Sequence, residues 1–360
     1  RLPRVVFPLS RTTQLARTRM NTTVSGRVFS IAGNFDRQSG TESAQKSLPS
    51  LGYRRVKIAA THSDGSQQGG ATVRATLSLW EPATFLPRCS PVPQAGVAIL
   101  RDYTAEYLAW GQGQPLVIVP GLAGGVGLVS PLAASLAQQF HVLAYQLRGE
   151  NDPFALRRRF TLADLVNDLA ELLDLLCLER PVVFGVSFGG IIALQFAARF
   201  PHRVAAVVAQ GVDVTFAPSL LRRIAAIVLR EFPLPSDSPF VNQFFHLFFG
   251  KRCDDPALFE FVTRQCWNTD QSVMAYRFRL AEEMNLLPFL SAIRAPTLLI
   301  TGELDILPTS SGLREMEQRI AQVEHVRIPG AGHLAFVSHA SQVAAVVRRA
   351  LTRWSSFTVT

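Results

Sequence analysis

Two stretches of the chain, residues 111–147 and 181–198, contain no Asp, Glu, Lys or Arg. A hydropathy scan would flag both as membrane spans. Each is broken by Gly or Pro between a short β-rich run and a helical run, however, and parallel strands buried on both faces read as continuously apolar. The same alternation governs the chain from about residue 96. "VAILRD" and "TAEYLAW" predict paired strands, with "GQGQP" as the loop that follows. "LVIV" (116–119) predicts a buried strand ending at "PGLAGG", "LVSPLAASLAQQ" a helix, and "HVLAYQ" (141–146) a strand. "TLADLVNDLAELLDLLCL" (161–178) has apolar residues at helical spacing, with Thr161 and Asp164 as a capping pair. "PVVFGV" predicts a strand and "FGGIIALQFAARF" a helix stopped by Pro201. "RVAAVVAQ" and "PTLLITG" (296–302) are further strands, followed by a helix at about 309–322, a strand "HVRIP" and a final helix at about 340–353. Alternating units of this length predict an α/β fold, a mostly parallel sheet with helices on both faces. Residues 215–292 interrupt the alternation with helical patterns and no obvious strand, the shape of an insertion riding on the sheet.

Residues 1–93 differ in character. "RQSGTESAQKS" and "HSDGSQQGG" are poor in apolar residues and loop-like, and "ATVRATLSLW" is the one strand pattern among them. Residues 1–35 carry six Arg and no acid, a composition shared with transit peptides. An unstructured basic extension is the preferred expectation over targeting, and a DNA-binding arm is weaker still because the Arg residues are scattered. Charge changes the picture once it is divided. The 360 residues carry a formal net charge of +9, with 36 basic and 27 acidic residues. Residues 1–95 hold 13 of the basic and 4 of the acidic ones, so the remaining 23 and 23 cancel. Residues 96–360 therefore offer no electrostatic case for nucleic acid. The four cysteines (Cys89, Cys177, Cys253, Cys266) lack C-x-x-C spacing, which suggests neither a disulfide framework nor a zinc site. A reducing, cytoplasmic setting is the expectation.

Candidate chemistry gathers where strands end. "GVSFGG" (185–190) places Ser187 between a strand and a helix. In a G-x-S-x-G turn the serine is held in a tight backbone that lifts its Oγ clear, and Gly185 and Gly189 must be small because side chains there would meet neighbouring backbone. A serine hydroxyl needs a base, and the base an orienting group. Of the seven histidines, His62 lies in the uninformative segment, His141, His202 and His325 belong to strand starts or approaches, and His246 sits among phenylalanines. His333, in "PGAGHLAF", follows the last strand and is the one positioned to reach Ser187, with His339 in reserve. For the acid, "ITGELDILP" offers Glu303 and Asp305 after its strand, with Asp305 preferred and Asp213 as runner-up. An oxyanion would find donors in the N–H of Phe188 at a helix N-terminus and of Leu122 in the glycine-rich "PGLAGG".

Taken together, "VPGLAGG", "LRGENDP", "GVSFGG", "TGELD" and "GAGHLAF" make residues 96–360 resemble the α/β-hydrolase fold superfamily, in the group with a helical cap between strands six and seven. The resemblance implies a doubly wound, mostly parallel sheet over residues 94–360, with the cap at about 215–292. It also implies a serine hydrolase of carboxylic esters, lactones or thioesters that forms an acyl-enzyme on Ser187 from a small-molecule acyl substrate. Neither a metal nor an organic cofactor is called for. Carbon–carbon bond hydrolysis or acyl transfer to an alcohol on the same triad, and a non-catalytic sensor on the same scaffold, are the alternatives. Two motifs depart from the superfamily pattern. Pro120-Gly121 stands where many relatives have His-Gly, and Gln146 to Asn151 stands where many have Asp-x-Arg-Gly-x-Gly. "FVNQFFHLFF" (240–249) is either an apolar wall for a substrate or glue for the cap helices, and Arg157–Arg159, Arg222 and Arg223 either meet a substrate carboxylate or form a solvated face.

Overall fold

The computed structural model describes residues 92–150, 156, 158–216, 220–231 and 239–356, with backbone alone at 19–24, 27–32, 220–222, 231, 239–241 and 355–356. Two units divide the chain, Arg1–Ala83 and Thr84–Thr360. In the first, strands β1 (Arg19–Val24) and β2 (Arg27–Ala32) pair antiparallel. No strand is expected at 19–32 from the sequence. The strand expected in "ATVRATLSLW", and most of the expected N-terminal extension, fall outside the described residues.

The second unit holds an eight-stranded sheet. Its strands are β3 (Gln94–Ile99), β4 (Thr104–Trp110), β5 (Gln114–Val119), β6 (Phe140–Tyr145), β7 (Val182–Val186), β8 (Ala206–Gln210), β9 (Thr297–Gly302) and β10 (Val323–Ile328). They lie in the order β10-β9-β8-β7-β5-β6-β4-β3. The β3–β4 and β4–β6 pairs are antiparallel and all others parallel. β7, β8 and β9 are buried at every position, the signature of strands covered on both faces. Side chains alternate across the sheet. Val117, Val119, Val183 and Val207 join one core cluster with helix α2 (Leu162–Leu175) and helix α3 (Phe188–Arg199). Leu116, Ile118, Val182 and Val208, also fully buried, face the other way. Helices α1 (Gly125–Leu136) and α11 (Ala340–Ser356) pack on each other, α1 against β6 and α11 against β9 and β10.

α2 opens with the expected capping box. The Thr161 side chain accepts from the Asp164 N–H, and the Asp164 carboxylate accepts from the Thr161 N–H. Between β8 and β9 the chain forms α4 (Leu220–Glu231), α5 (Pro239–Phe249), α6 (Pro256–Cys266), α7 (Gln271–Glu282) and α8 (Leu287–Leu290). This helical insertion has a narrow neck. Thr215 bridges Asn285, and the Leu286 N–H donates to the Val214 carbonyl at 2.8 Å. The helix expected at 309–322 is α9 (Ser310–Arg319), and it ends early because Ile320 adopts an extended backbone. A short α10 (Ala335–Ser338) precedes α11. Among the described residues no helix is long and apolar enough to cross a membrane, and the two charge-free stretches are the strand–turn–helix units β5–α1–β6 and β7–α3.

Strand order locates the end of the sheet at which a crevice opens. From β5 the chain winds outward to β6, then crosses back over β5 to β7 and continues to β8, β9 and β10. The winding reverses between β5 and β7, and at such a switch point the loops leave in opposite directions and open a crevice beyond the strand C-termini. The segment after β5 contains Leu122, and the residue after β7 is Ser187.

Candidate active site

Ser187 has φ 50° and ψ −113°, a conformation sparsely populated by any residue with a Cβ. The sharp turn from β7 into α3 is tolerable because its neighbours are glycines. A Cβ on Gly185 would lie 2.3 Å from the Gly189 carbonyl oxygen, and one on Gly189 would lie 2.1 Å from the Val119 carbonyl oxygen. The obstruction is backbone in both cases. The Ser187 N–H donates to the Gln210 carbonyl at 2.8 Å, which ties the turn to β8.

His333 follows β10 and is 7% exposed. Its Nε2 lies 2.9 Å from Ser187 Oγ, and its Nδ1 lies 3.2 and 3.1 Å from the two Asp305 carboxylate oxygens. The Asp305 side chain is 1% exposed and also accepts from the Leu307 N–H at 3.0 Å. The loop carrying His333 is fixed from two sides. Gln210 Nε2 donates to the His333 carbonyl at 3.0 Å, and the Leu334 N–H donates to the Phe248 carbonyl on α5 at 3.1 Å. Gly211 has φ +69°, and a Cβ there would lie 2.7 Å from His333 Cε1. The imidazole therefore rests directly on the backbone at the end of β8. Gln210 and Gly211 are not singled out in the sequence, although a polar residue and a glycine closing the apolar run "VAAVVA" mark a strand end that faces something other than core.

The reserve candidates occupy other places. Asp213 accepts from the Val214 and Thr309 N–H groups at 2.7 and 2.8 Å, bracing the chain ahead of α9. Glu303 accepts from the Gly330 N–H at 2.8 Å. His339 pairs with the Ser338 hydroxyl at 2.8 Å, and burial lowers its pKa, with Lys251 adding to the effect. His325 lies between Thr301 Oγ1 (2.9 Å) and Glu317 (3.3 Å). His246 Nδ1 accepts from the Cys253 N–H. His141 lies within β6, and His202 in a short turn at Pro201–Arg203. His62 is outside the described residues. Of the arginines weighed as carboxylate partners, Arg158, Arg159 and Arg223 are exposed, with Arg158 paired to Asp102. Arg157 and the side chain of Arg222 are outside the described residues.

The loop after β5 lies against the serine. A Cβ on Gly121 would come within 3.9 Å of Ser187 Cβ. The same loop is held by a polar cluster the sequence does not announce. Arg277 of α7, fully buried, pairs with Glu150 at 2.8 Å. Its Nη1 also donates to the Leu122 carbonyl at 2.9 Å, and its Nη2 donates to the carbonyls of Leu147 and Arg148 at 3.2 and 2.9 Å. Thr269 Oγ1 donates to Glu150 at 2.9 Å and accepts from the Gly124 N–H at 2.8 Å. The insertion thus grips both ends of the Leu122–Gly124 turn. Glu150 belongs to the segment that departs from the Asp-x-Arg-Gly-x-Gly pattern. Gln146, at the first position of that pattern, accepts from the Val126 N–H at 3.0 Å, so its amide oxygen braces the start of α1. One sequence signal existed for Arg277: it falls in the apolar stripe Val273, Met274, Leu280, Ala281, where a charge demands a partner.

A cavity of about 280 Å³ lies over Ser187 and His333, roofed by the insertion. Phe244, Phe245 and Phe248 of "FVNQFFHLFF" line it, while Phe249 packs on Phe259. The run is therefore both wall and glue. Cys266 also lines the cavity, and burial pushes its thiol up to about 12, with Glu150 adding to the effect, so it stays uncharged. Among the described residues no cluster of His, Cys, Asp or Glu could hold a metal ion.

A mostly parallel sheet whose winding reverses at a serine-bearing strand-to-helix turn, beside a histidine and an acid from later strands, defines the α/β-hydrolase class of fold. Residues 114–340 match the family described as alpha/beta hydrolase fold, and the chain belongs to that family. It is 27% identical over 244 residues to a poly(3-hydroxyalkanoate) depolymerase of Ectopseudomonas oleovorans, a match spanning 66% of this chain and 84% of that one. Two solved structures share the fold. An enol-lactonase from Burkholderia xenovorans LB400 superposes with a TM-score of 0.63 at 22% identity, over 71% of this chain and all of that one (100%). An esterase from Thermogutta terrifontis gives 0.61 at 23% identity, over 72% and 98%.

Proposed function

We propose that the chain hydrolyses carboxylic esters, lactones and thioesters included, through an acyl-enzyme formed on Ser187. The observation that carries this proposal is the hydrogen-bond series from Ser187 Oγ to His333 Nε2 (2.9 Å) and from His333 Nδ1 to Asp305 (3.1 and 3.2 Å). Ser187 Oγ attacks the carbonyl carbon while His333 Nε2 takes its proton. The N–H groups of Leu122 and Phe188 hold the oxyanion, the second of them at the positive end of α3. His333 returns the proton to the leaving oxygen or sulfur as that bond breaks. Water then attacks the acyl carbon, giving its proton to His333, and the acid departs as Ser187 recovers its own. Asp305 fixes the tautomer and stabilises the imidazolium. Similarity to a depolymerase supports this class of reaction.

A fluorophosphonate probe is expected to label the wild-type chain and not Ser187→Ala, and the wild type is expected to turn over p-nitrophenyl butyrate. A folded wild type that escapes labelling would overturn the proposal. Labelling without ester turnover would shift the chemistry to carbon–carbon cleavage or acyl transfer.

Gly211→Ala tests the seat of the imidazole. The new Cβ, 2.7 Å from His333 Cε1, must push the ring off its line to Ser187. A misplacement of that order costs about a hundredfold in rate, so kcat should fall by about that much with KM little changed. Wild-type kcat in Gly211→Ala would show that the ring does not depend on this contact.

A further inference from the structure

The walls of the cavity over Ser187 are almost wholly hydrocarbon. Val228 and Leu229 of α4, Phe244 and Phe248 of α5, Phe278 of α7 and Met284 face it from the insertion. Among the described lining residues there is no Lys or Arg. The one carboxyl group there, Asp213, already accepts two backbone N–H groups. The Cys266 thiol is uncharged. Arg277, the nearby buried cation, is not among the lining residues; its Nη1 and Nη2 are taken up by Glu150 and by three backbone carbonyls, while its buried Nε makes no hydrogen bond among the described residues. Away from His333 and the proposed oxyanion donors at the reacting end, no side chain in these walls can neutralise an anion.

We infer that the site selects neutral esters whose acyl group is an uncharged hydrocarbon chain of middle length, and that it rejects acyl groups ending in a carboxylate. This rests on the hydrolytic role of Ser187. A cavity of about 280 Å³ is many times the space one water needs, so it has room for an acyl chain well beyond butyrate. Each methylene moved from water into the wall raises kcat/KM by roughly fourfold while room remains. A terminal carboxylate would be desolvated with no partner, a penalty of at least about a hundredfold.

The test compares kcat/KM of the full chain on the p-nitrophenyl esters of acetate, butyrate, hexanoate and octanoate, and on mono-p-nitrophenyl adipate. The adipate half-ester presents the same six-carbon chain as hexanoate with a carboxylate at its end. Expected are a steady rise to octanoate and an adipate half-ester at least about a hundredfold slower than hexanoate. A profile that is flat or falls beyond butyrate, or equal turnover of adipate and hexanoate esters, would overturn the inference. Fluorophosphonate titration of the same preparation separates the two levels. Full labelling with a flat profile removes the chain preference and leaves the hydrolase standing. If labelling and turnover are both absent, the hydrolase proposal fails, and calorimetry with methyl octanoate and octanoate on Ser187→Ala decides the rest. Tighter binding of the neutral ester with a negative heat-capacity change upholds the apolar selection, and equal or tighter binding of octanoate removes it.

Discussion

Ser187→Ala is expected to lose about a million-fold in kcat while folding like the wild type. Removing the nucleophile of a serine triad typically costs that much, because the base and its orienting acid have nothing left to activate. What remains is the contribution of the oxyanion donors and of substrate binding, about a thousandfold over water. Stability responds to a different feature of the residue. With φ at 50° and ψ at −113°, residue 187 sits where a Cβ is strained, and such strain costs of order 1–3 kcal/mol. Ala keeps the Cβ and the strain. Ser187→Gly removes both, so it should be as inactive as Ala yet more resistant to denaturant, by about 1 kcal/mol or more less the added chain entropy of glycine. Steady-state kinetics and denaturant titration of the three proteins check this ordering. A Gly variant less stable than Ala would mean that the turn carries no strain to release.

The strand framework was legible because burial on both faces writes itself into the sequence. "LVIV", "PVVFGV" and "TLLITG" are apolar throughout, and β5, β7 and β9 follow them closely. Position at a strand end was legible for Ser187, Asp305 and His333, since glycines and a change of periodicity mark where strands stop. Contacts that depend on which strands become neighbours were not. Gly211 is an ordinary glycine until β8 lies beside β9 and the imidazole comes to rest on it. The dual part played by Phe244, Phe248 and Phe249 could not be divided from a run of five phenylalanines, because helical spacing alone does not say which face meets a cavity. Arg277 and Glu150 lie 127 residues apart, and no local pattern pairs them. Residues 1–93 carry too little periodicity to foresee the β1–β2 pairing.

That buried pair sets the second large effect. Arg277→Ala should destabilise the protein by about 3–5 kcal/mol, because Glu150, with its side chain 4% exposed, is left as an uncompensated buried charge. This is a large part of the 5–15 kcal/mol that usually holds a domain together. The size of the loss does not mean that the pair stabilises the fold by that amount, since replacing both charges with apolar groups of similar volume is often nearly neutral. The double variant Arg277→Met, Glu150→Met removes the uncompensated charge and should therefore recover part of the lost stability, the carbonyls of Leu122, Leu147 and Arg148 still lacking their donor. It should not recover turnover. The Leu122 carbonyl loses its donor at 2.9 Å, Thr269 loses Glu150 as acceptor, and the turn carrying one proposed oxyanion donor is no longer gripped by the insertion. Loss of an oxyanion donor costs about a hundredfold or more in kcat, so the double variant should remain down by that order with KM little changed. Arg277→Lys should fall between the two, since one ammonium cannot serve Glu150 and three carbonyls in the planar geometry of a guanidinium. Denaturant midpoints and kcat measured on the same preparations separate the two roles. If the double variant regains stability and turnover together, the pair holds the fold and does nothing for the loop beside Ser187.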